Sequence, residues 1–349
     1  MSASVATASP PPTITTFTTP TAGSDPAHIV SGPDGNLWFT EQSASRIGRI
    51  TPAGVLTEFP TPTANSQPYA ITVGSDGNLW FTEVFANSVA KITPSGVITE
   101  YPLTASAIPQ GIVTGADGNL WIPEVGLGAI GVVSTAGVVL HDYPVSVSPI
   151  GITLGSDNRV WFGLNNTNEI GAMDSTGTST EYATAGSVFY LATGADGNVW
   201  FAGSATNHTG GDVTPAGVVT PLPSVNPLFS MTAGPDGNIW GDNAGNGSID
   251  EIDATGNVVN SYTYTPTVTS GAISFITEGS DGNIWFTFGS GGIGVLDLHS
   301  AAVPAPVPVP VLAATGIGPE WWMAGGAGLA ALALGALMLV FARRPRRVS

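Results

Sequence analysis

Seven tryptophans recur at a near-constant interval, and that period constrains the fold of this chain more than any other feature. They are Trp38, Trp80, Trp121, Trp161, Trp200, Trp240 and Trp285, at spacings of 42, 41, 40, 39, 40 and 45 residues. No other Trp precedes residue 321. A period near 40 is too long for leucine-rich or hexapeptide solenoids and matches a propeller blade.

Each Trp follows a turn. Asp34-Gly35-Asn36 is echoed five times, up to Asp281-Gly282-Asn283, and Asp157-Asn158-Arg159 is a degenerate copy. Asp-Gly is the signature of a tight hairpin whose two central residues are both expected at positive φ. A second turn, Thr51-Pro52-Ala53-Gly54 in the first repeat, follows the Trp by 16 residues in five copies and 17 in one. The two turns divide each repeat into four strands, roughly Tyr69–Val73, Leu79–Thr82, Val89–Thr93 and Val97–Tyr101 in the second. Leu-Trp-Phe does not alternate, as expected of a strand covered on both faces by neighbouring blades. The seventh repeat stops after Ile293–Leu296, while Ile14–Pro20 matches the fourth strand Leu56–Pro62. The expectation is an all-β, seven-bladed propeller whose N-terminal strand closes the last blade.

Charge excludes some functions. Residues 1–300 hold 24 acids (25 less Glu320) against four bases, and the other four bases are Arg343, Arg344, Arg346 and Arg347. Such a body repels phosphate backbones, so no nucleic-acid partner is expected. With no Cys, thiol chemistry and thiolate metal sites are absent.

The unit GPDGNLWFTE…IGRITPAGVLTEFPTP resembles the streptogramin lyase (virginiamycin B lyase) family over about residues 13–299. The resemblance implies a seven-bladed propeller, and in the enzymes a Mg²⁺-dependent elimination that opens a cyclic depsipeptide. It also implies a histidine base just ahead of an Ile-Thr inner strand. Here the corresponding segments read Pro68-Tyr69-Ala70-Ile71, Pro109-Gln110-Gly111-Ile112 and Pro149-Ile150-Gly151-Ile152, without histidine. His28, in Pro26-Ala27-His28-Ile29, is the weak candidate base and stands one place out of register. One residue along a strand turns a side chain to the other face. His141 falls in an outer strand, His208 in a loop of blade five and His299 beyond the last blade.

Glu41, Glu83 and Glu124 stand three residues after their Trp in blades one to three, where the other blades have Leu164, Gly203, Asn243 and Phe288. Equivalent strand ends share a rim, so these glutamates are candidate ligands for Mg²⁺ or Ca²⁺. A carboxylate hydrogen-bonding a neighbouring loop is the alternative.

After Ser300 the texture changes. Residues 300–311 read as a Pro-rich tether. Leu312-Ala313-Ala314-Thr315-Gly316 follows, then 22 uncharged residues, 321–342, and a basic tail, 343–349. As a helix at ~1.5 Å per residue the uncharged stretch matches a bilayer core. The expectation is one C-terminal transmembrane helix with a cytoplasmic tail. The arrangement resembles a cell-wall sorting signal of the LAxTG type, which implies a class E sortase of a Gram-positive bacterium and cleavage at Thr315–Gly316. Residues 1–12 read as a disordered start with no visible signal peptide. The reading is a monomeric, surface-anchored module for an unknown extracellular ligand. The alternative is a Mg²⁺-dependent lyase or lactone hydrolase.

Overall fold

The computed structural model describes residues 11–203, 210–222, 228–243, 247–264, 272–289 and 291–299. These residues form seven antiparallel sheets of four strands each, with no helix. Blade two is Pro68–Val73, Leu79–Glu83, Ser88–Ile92 and Ile98–Pro102, close to the boundaries read from the turns. Blade seven is closed as expected: Thr13–Thr18 pairs antiparallel with Gly292–Asp297, from Thr13 opposite Asp297 to Thr18 opposite Gly292.

The core lies between blades. Residues 37–41 are wholly buried. Trp38 packs with Ile71, Leu79 and Phe81 of the next blade, whereas Phe39 packs with Trp285 and Ile293 of the preceding one. Alternation along the second strand therefore decides which neighbour each side chain meets. Every blade-core indole donates its Nε1 hydrogen to the turn aspartate four residues earlier, as Trp38 does to Asp34 at 3.0 Å and Trp285 to Asp281 at 3.1 Å.

The first turn differs from the expected one. Gly35 has φ 77° but Asp34 is not left-handed. Gly35 N–H bonds to Gly32 O, and Gly32 N–H to Asn36 O. This is a three-residue loop with a single left-handed residue at its end. Aspartate serves it as an acceptor, not through its backbone freedom: Asp34 accepts the Asn36 N–H and the Trp38 indole. In the degenerate copy Asn158 takes the left-handed place at φ 64°. The second turn needs glycine for two reasons. Gly96 has φ 93°, and a Cβ there would stand 2.2 Å from the ring of Phe59 on the preceding blade.

Candidate functional site

The innermost strands line a channel, and they begin at what is called here its upper end. Several begin with a bulge: Pro26 opposes Glu41 and Ile29 opposes Phe39, leaving Ala27 and His28 out of the ladder. Blades two, six and seven repeat this irregularity. A bulge re-aims side chains. A threonine two places after the Trp holds it. His28 N–H donates to Thr40 Oγ1 at 3.1 Å, and that hydroxyl donates to Tyr69 O of the next blade at 2.7 Å. Thr287 likewise accepts from Phe275 N–H and donates to Ala27 O, and Thr82 accepts from Ala70 N–H.

Residues of these bulged strands meet Tyr190, from the regular ladder of blade five, in an aromatic cluster across the channel. His28 stacks on Phe275 with ring centroids 3.3 Å apart and leans on Tyr69 at 5.1 Å. Tyr190 joins Phe275 at 5.6 Å and Phe229 at 5.4 Å. Above it, a cavity of about 350 Å³ opens between Asp25, Gln42, Phe229 and Ser274. A second cavity, about 570 Å³, runs past the cluster from Gln110 and Asn165 to Thr277 and Glu278. On the rim stand exposed apolar side chains: Phe85, Ile108 and Leu127, of blades two and three and their connection.

His28 faces the channel and keeps some exposure to it. It lies so deep among protein atoms that desolvation pushes its pKa down to about 3. The ring is neutral at pH 7, and a base that weak takes up a proton poorly in a transition state. His141 lies in the outermost strand of blade three, stacked on Tyr143, and His299 is near Asn283. His208 lies outside the described residues, as do Leu312, Ala313, Ala314, Thr315 and Gly316 with the span after them.

Glu41, Glu83 and Glu124 end their second strands fully buried. They face the preceding blade, as residues three places after the Trp must, and each belongs to its own cluster. Glu41 lies by Ser24, Glu58 and Arg46. Glu83 lies by Ser66, Ser88 and Glu100, accepting from Ser88 Oγ at 2.8 Å. Glu124 has Asp142 as its charged neighbour. The outer carboxylate of each pair ties down the inter-blade connection: Thr21 N–H and Oγ1 donate to Glu58, Thr63 does the same to Glu100, and Thr104 Oγ1 donates to Asp142. Burial, reinforced by the second carboxylate, raises Glu41 and Glu83 to about 7 and Glu124 to about 8. Each inner glutamate can thus hold a proton at neutral pH. Among the described residues, no three His, Cys, Asp or Glu side chains are grouped as a metal ion would need.

One acid escaped the sequence reading. Asp242 is fully buried, and neither of its carboxylate oxygens has a hydrogen-bond partner. Burial, then Asp250, raises its pKa to about 8. It occupies the place of Thr40, Thr82 and Thr287, and an acid where three repeats have a threonine is the signal that could have marked it.

The family model described as "Virginiamycin B lyase family" matches residues 3–147 and 140–328. A solved streptogramin B lyase is 30% identical, with TM-score 0.76, covering 82% of this chain and 97% of that one. Virginiamycin B lyase from Staphylococcus aureus is 28% identical at TM-score 0.75, covering 82% and 99%. A catalytically inactive histidine-to-alanine variant of the latter, solved with quinupristin, aligns equally well. No curated protein sequence matches significantly.

Proposed function

The chain belongs to the virginiamycin B lyase family, and from that premise we propose that it binds a compact cyclic ligand at the upper mouth of the channel without opening it. One observation carries this reading: the only histidine at the mouth among the described residues is a ring stacked into the aromatic cluster, with its pKa near 3. The Staphylococcus aureus relative is inactive when a histidine becomes alanine, so a lyase of this kind depends on an available imidazole. Here that imidazole helps form a binding floor. Aromatic faces below and uncharged apolar side chains on the rim suit an amphipathic macrocycle of the quinupristin class. Residues 312–349 support display at the cell surface through sortase cleavage after Thr315. Mass spectrometry of wall-digested protein should then find a C-terminal peptide ending in Thr315.

The deciding assay mixes the full chain with quinupristin, with and without Mg²⁺. Saturable binding with intact ligand is expected. A positioned base is worth ~10²–10⁴-fold in rate, so turnover should sit far below that of an active relative. Rapid Mg²⁺-dependent opening would overturn the binding reading in favour of the lyase. His28→Ala and His208→Ala variants would then identify the base.

A further inference from the structure

The larger cavity is not needed for the upper mouth to hold a ligand. Its volume, about 570 Å³, falls in the range of roughly 300–1,000 Å³ typical of sites for drug-sized molecules. Ile112, Ile152 and Met231 give it apolar walls, and Glu278 is the one acid among the described residues that line it, with no Lys or Arg. The cavity reaches the lower end of the channel, where the innermost strands finish.

That end is ringed by the first turns of all seven blades, from Asp34 to Asp281, one aspartate to each. Neighbouring turns touch: Ser75 Oγ donates to Gly118 O at 2.6 Å, and Ser280 Oγ to Gly35 O at 2.9 Å. Burial opposes ionisation of Asp34, but hydrogen bonds from Asn36 and Trp38 outweigh it and hold its pKa low. Arg159 pairs with Asp157 of this ring at 2.7 Å and also donates to Pro215 O of the next blade's second turn, so the net negative charge of the ring comes from the other six aspartates. Fixed negative charge around a low-dielectric opening concentrates cations there.

We infer that this cavity is a binding site for an organic monocation with an apolar body of a few rings, entering from the aspartate-ringed end. The cavity supplies the volume and apolar wall, and the ring and Glu278 supply the preference for positive charge. The site lies in the lower part of the cavity, which the upper mouth does not share.

Tetraphenylphosphonium and tetraphenylborate share size and shape and differ in charge. Each is titrated calorimetrically into the full chain. The cation is expected to bind at least about tenfold more tightly, with the preference shrinking severalfold between about 0.05 and 0.5 M salt. Glu278→Gln should narrow the preference, and Ile152→Trp, which fills the cavity, should abolish binding. If Ile152→Trp does not fold, Thr232→Phe from another blade tests the same point. Failure of the cation to bind, equal binding of both ions, or full cation binding by a folded cavity-filling variant overturns the inference. The two cavities share His28, Tyr69, Tyr190 and Phe275, whereas Ile152 and Thr232 line the larger one alone, so quinupristin binding retained by a cavity-filling variant that has lost the cation separates the two readings.

Discussion

Blades one to three and blades four to seven solve the same packing problem with different chemistry. In the first group the second strand ends in a buried glutamate, paired with a carboxylate on the outermost strand. Blade four keeps the outer partner alone: Glu181 accepts from Ser146 Oγ at 2.6 Å, as Asp142 does from Thr104, but the inner place is Leu164, fully buried. Blade seven fills that place with Phe288, edge-on to Phe286 at 5.1 Å and to Tyr264 at 5.7 Å. The outer carboxylate is thus common to blades one to four, while blades five, six and seven have Pro221, Ser261 and Thr16 at its place, and an inner glutamate stands only where an outer carboxylate does. The inner glutamates are an addition whose cost depends on protonation.

The largest consequence is a stability that falls as pH rises. Glu41, Glu83, Glu124 and Asp242 have folded pKa values of about 7, 7, 8 and 8. Between the ordinary carboxyl range and those values, the folded chain holds protons that the unfolded chain has released. The stabilisation is full below the unfolded pKa and is lost as pH climbs through about 7–8. Calorimetry should show Tm dropping between pH 5 and pH 8.5 by on the order of 5–10 °C. The triple variant Glu41→Gln, Glu83→Gln, Glu124→Gln should remove most of the drop, although general self-repulsion of the acidic body remains. A wild-type Tm that rises over that interval would break the comparison.

Moving the device into blade four should have the next largest effect. Leu164→Glu loses a buried aliphatic side chain and gains a carboxyl beside Glu181, a change on the order of 2–4 kcal/mol at pH 8. The loss should be smaller at pH 5, where the new group is neutral. An equal loss at both pH values would mean that packing alone separates the two groups of blades.

Asp242 is the complementary case, an acid on the opposite face of its strand whose neighbouring carboxylate, Asp250, lies on the third strand and not the outermost. Asp242→Thr should restore the bridge that Thr40 makes between its own bulge and the next blade. The expected gain is about 1–3 kcal/mol at pH 8.5, measured by calorimetry, and less at pH 5. A loss of stability would show that the carboxyl itself is required where it stands.

The architecture was legible because it is carried by short-range signals repeated seven times: an indole, a turn and a glycine at fixed offsets. The closing strand was legible because Ile14–Pro20 repeats Leu56–Pro62. The turn type was misjudged, since aspartate can enter a turn as a backbone conformer or as an acceptor, and the sequence alone does not separate these. The glutamates were legible as a set, but not their surroundings. Which partners a second-strand residue meets depends on the face it presents and on the loop folded over it, and Ser24 and Ser66 come from connections of irregular sequence. The aromatic cluster was least legible, because His28, Tyr69, Tyr190, Phe229 and Phe275 come from five blades, and four of these carry bulges that no local pattern announces.

The smallest test lies within blade one. Arg46 opposes Glu41 across the strand pair, with Nη1 3.9 Å from Glu58 Oε2 and its side chain about a third exposed. Blade two has Ser88 at this place and blade three Ala129, and both keep their buried glutamate. Arginine is therefore dispensable to the motif. A partly exposed pair at that distance is worth less than about 1 kcal/mol. Arg46→Ser should recreate blade two, with the new hydroxyl placed to donate to Glu41 as Ser88 donates to Glu83. Both glutamates already titrate near 7, one beside an arginine and the other beside a serine. The exchange should leave the Glu41 midpoint within about half a pH unit of its starting value, because burial is the dominant cause of the shift. Carboxyl ¹³C NMR across a pH series reads this directly. A rise of more than about one pH unit would show that Arg46 offsets much of the burial, and that blade one, unlike blade two, is balanced by charge and not by hydrogen bonding.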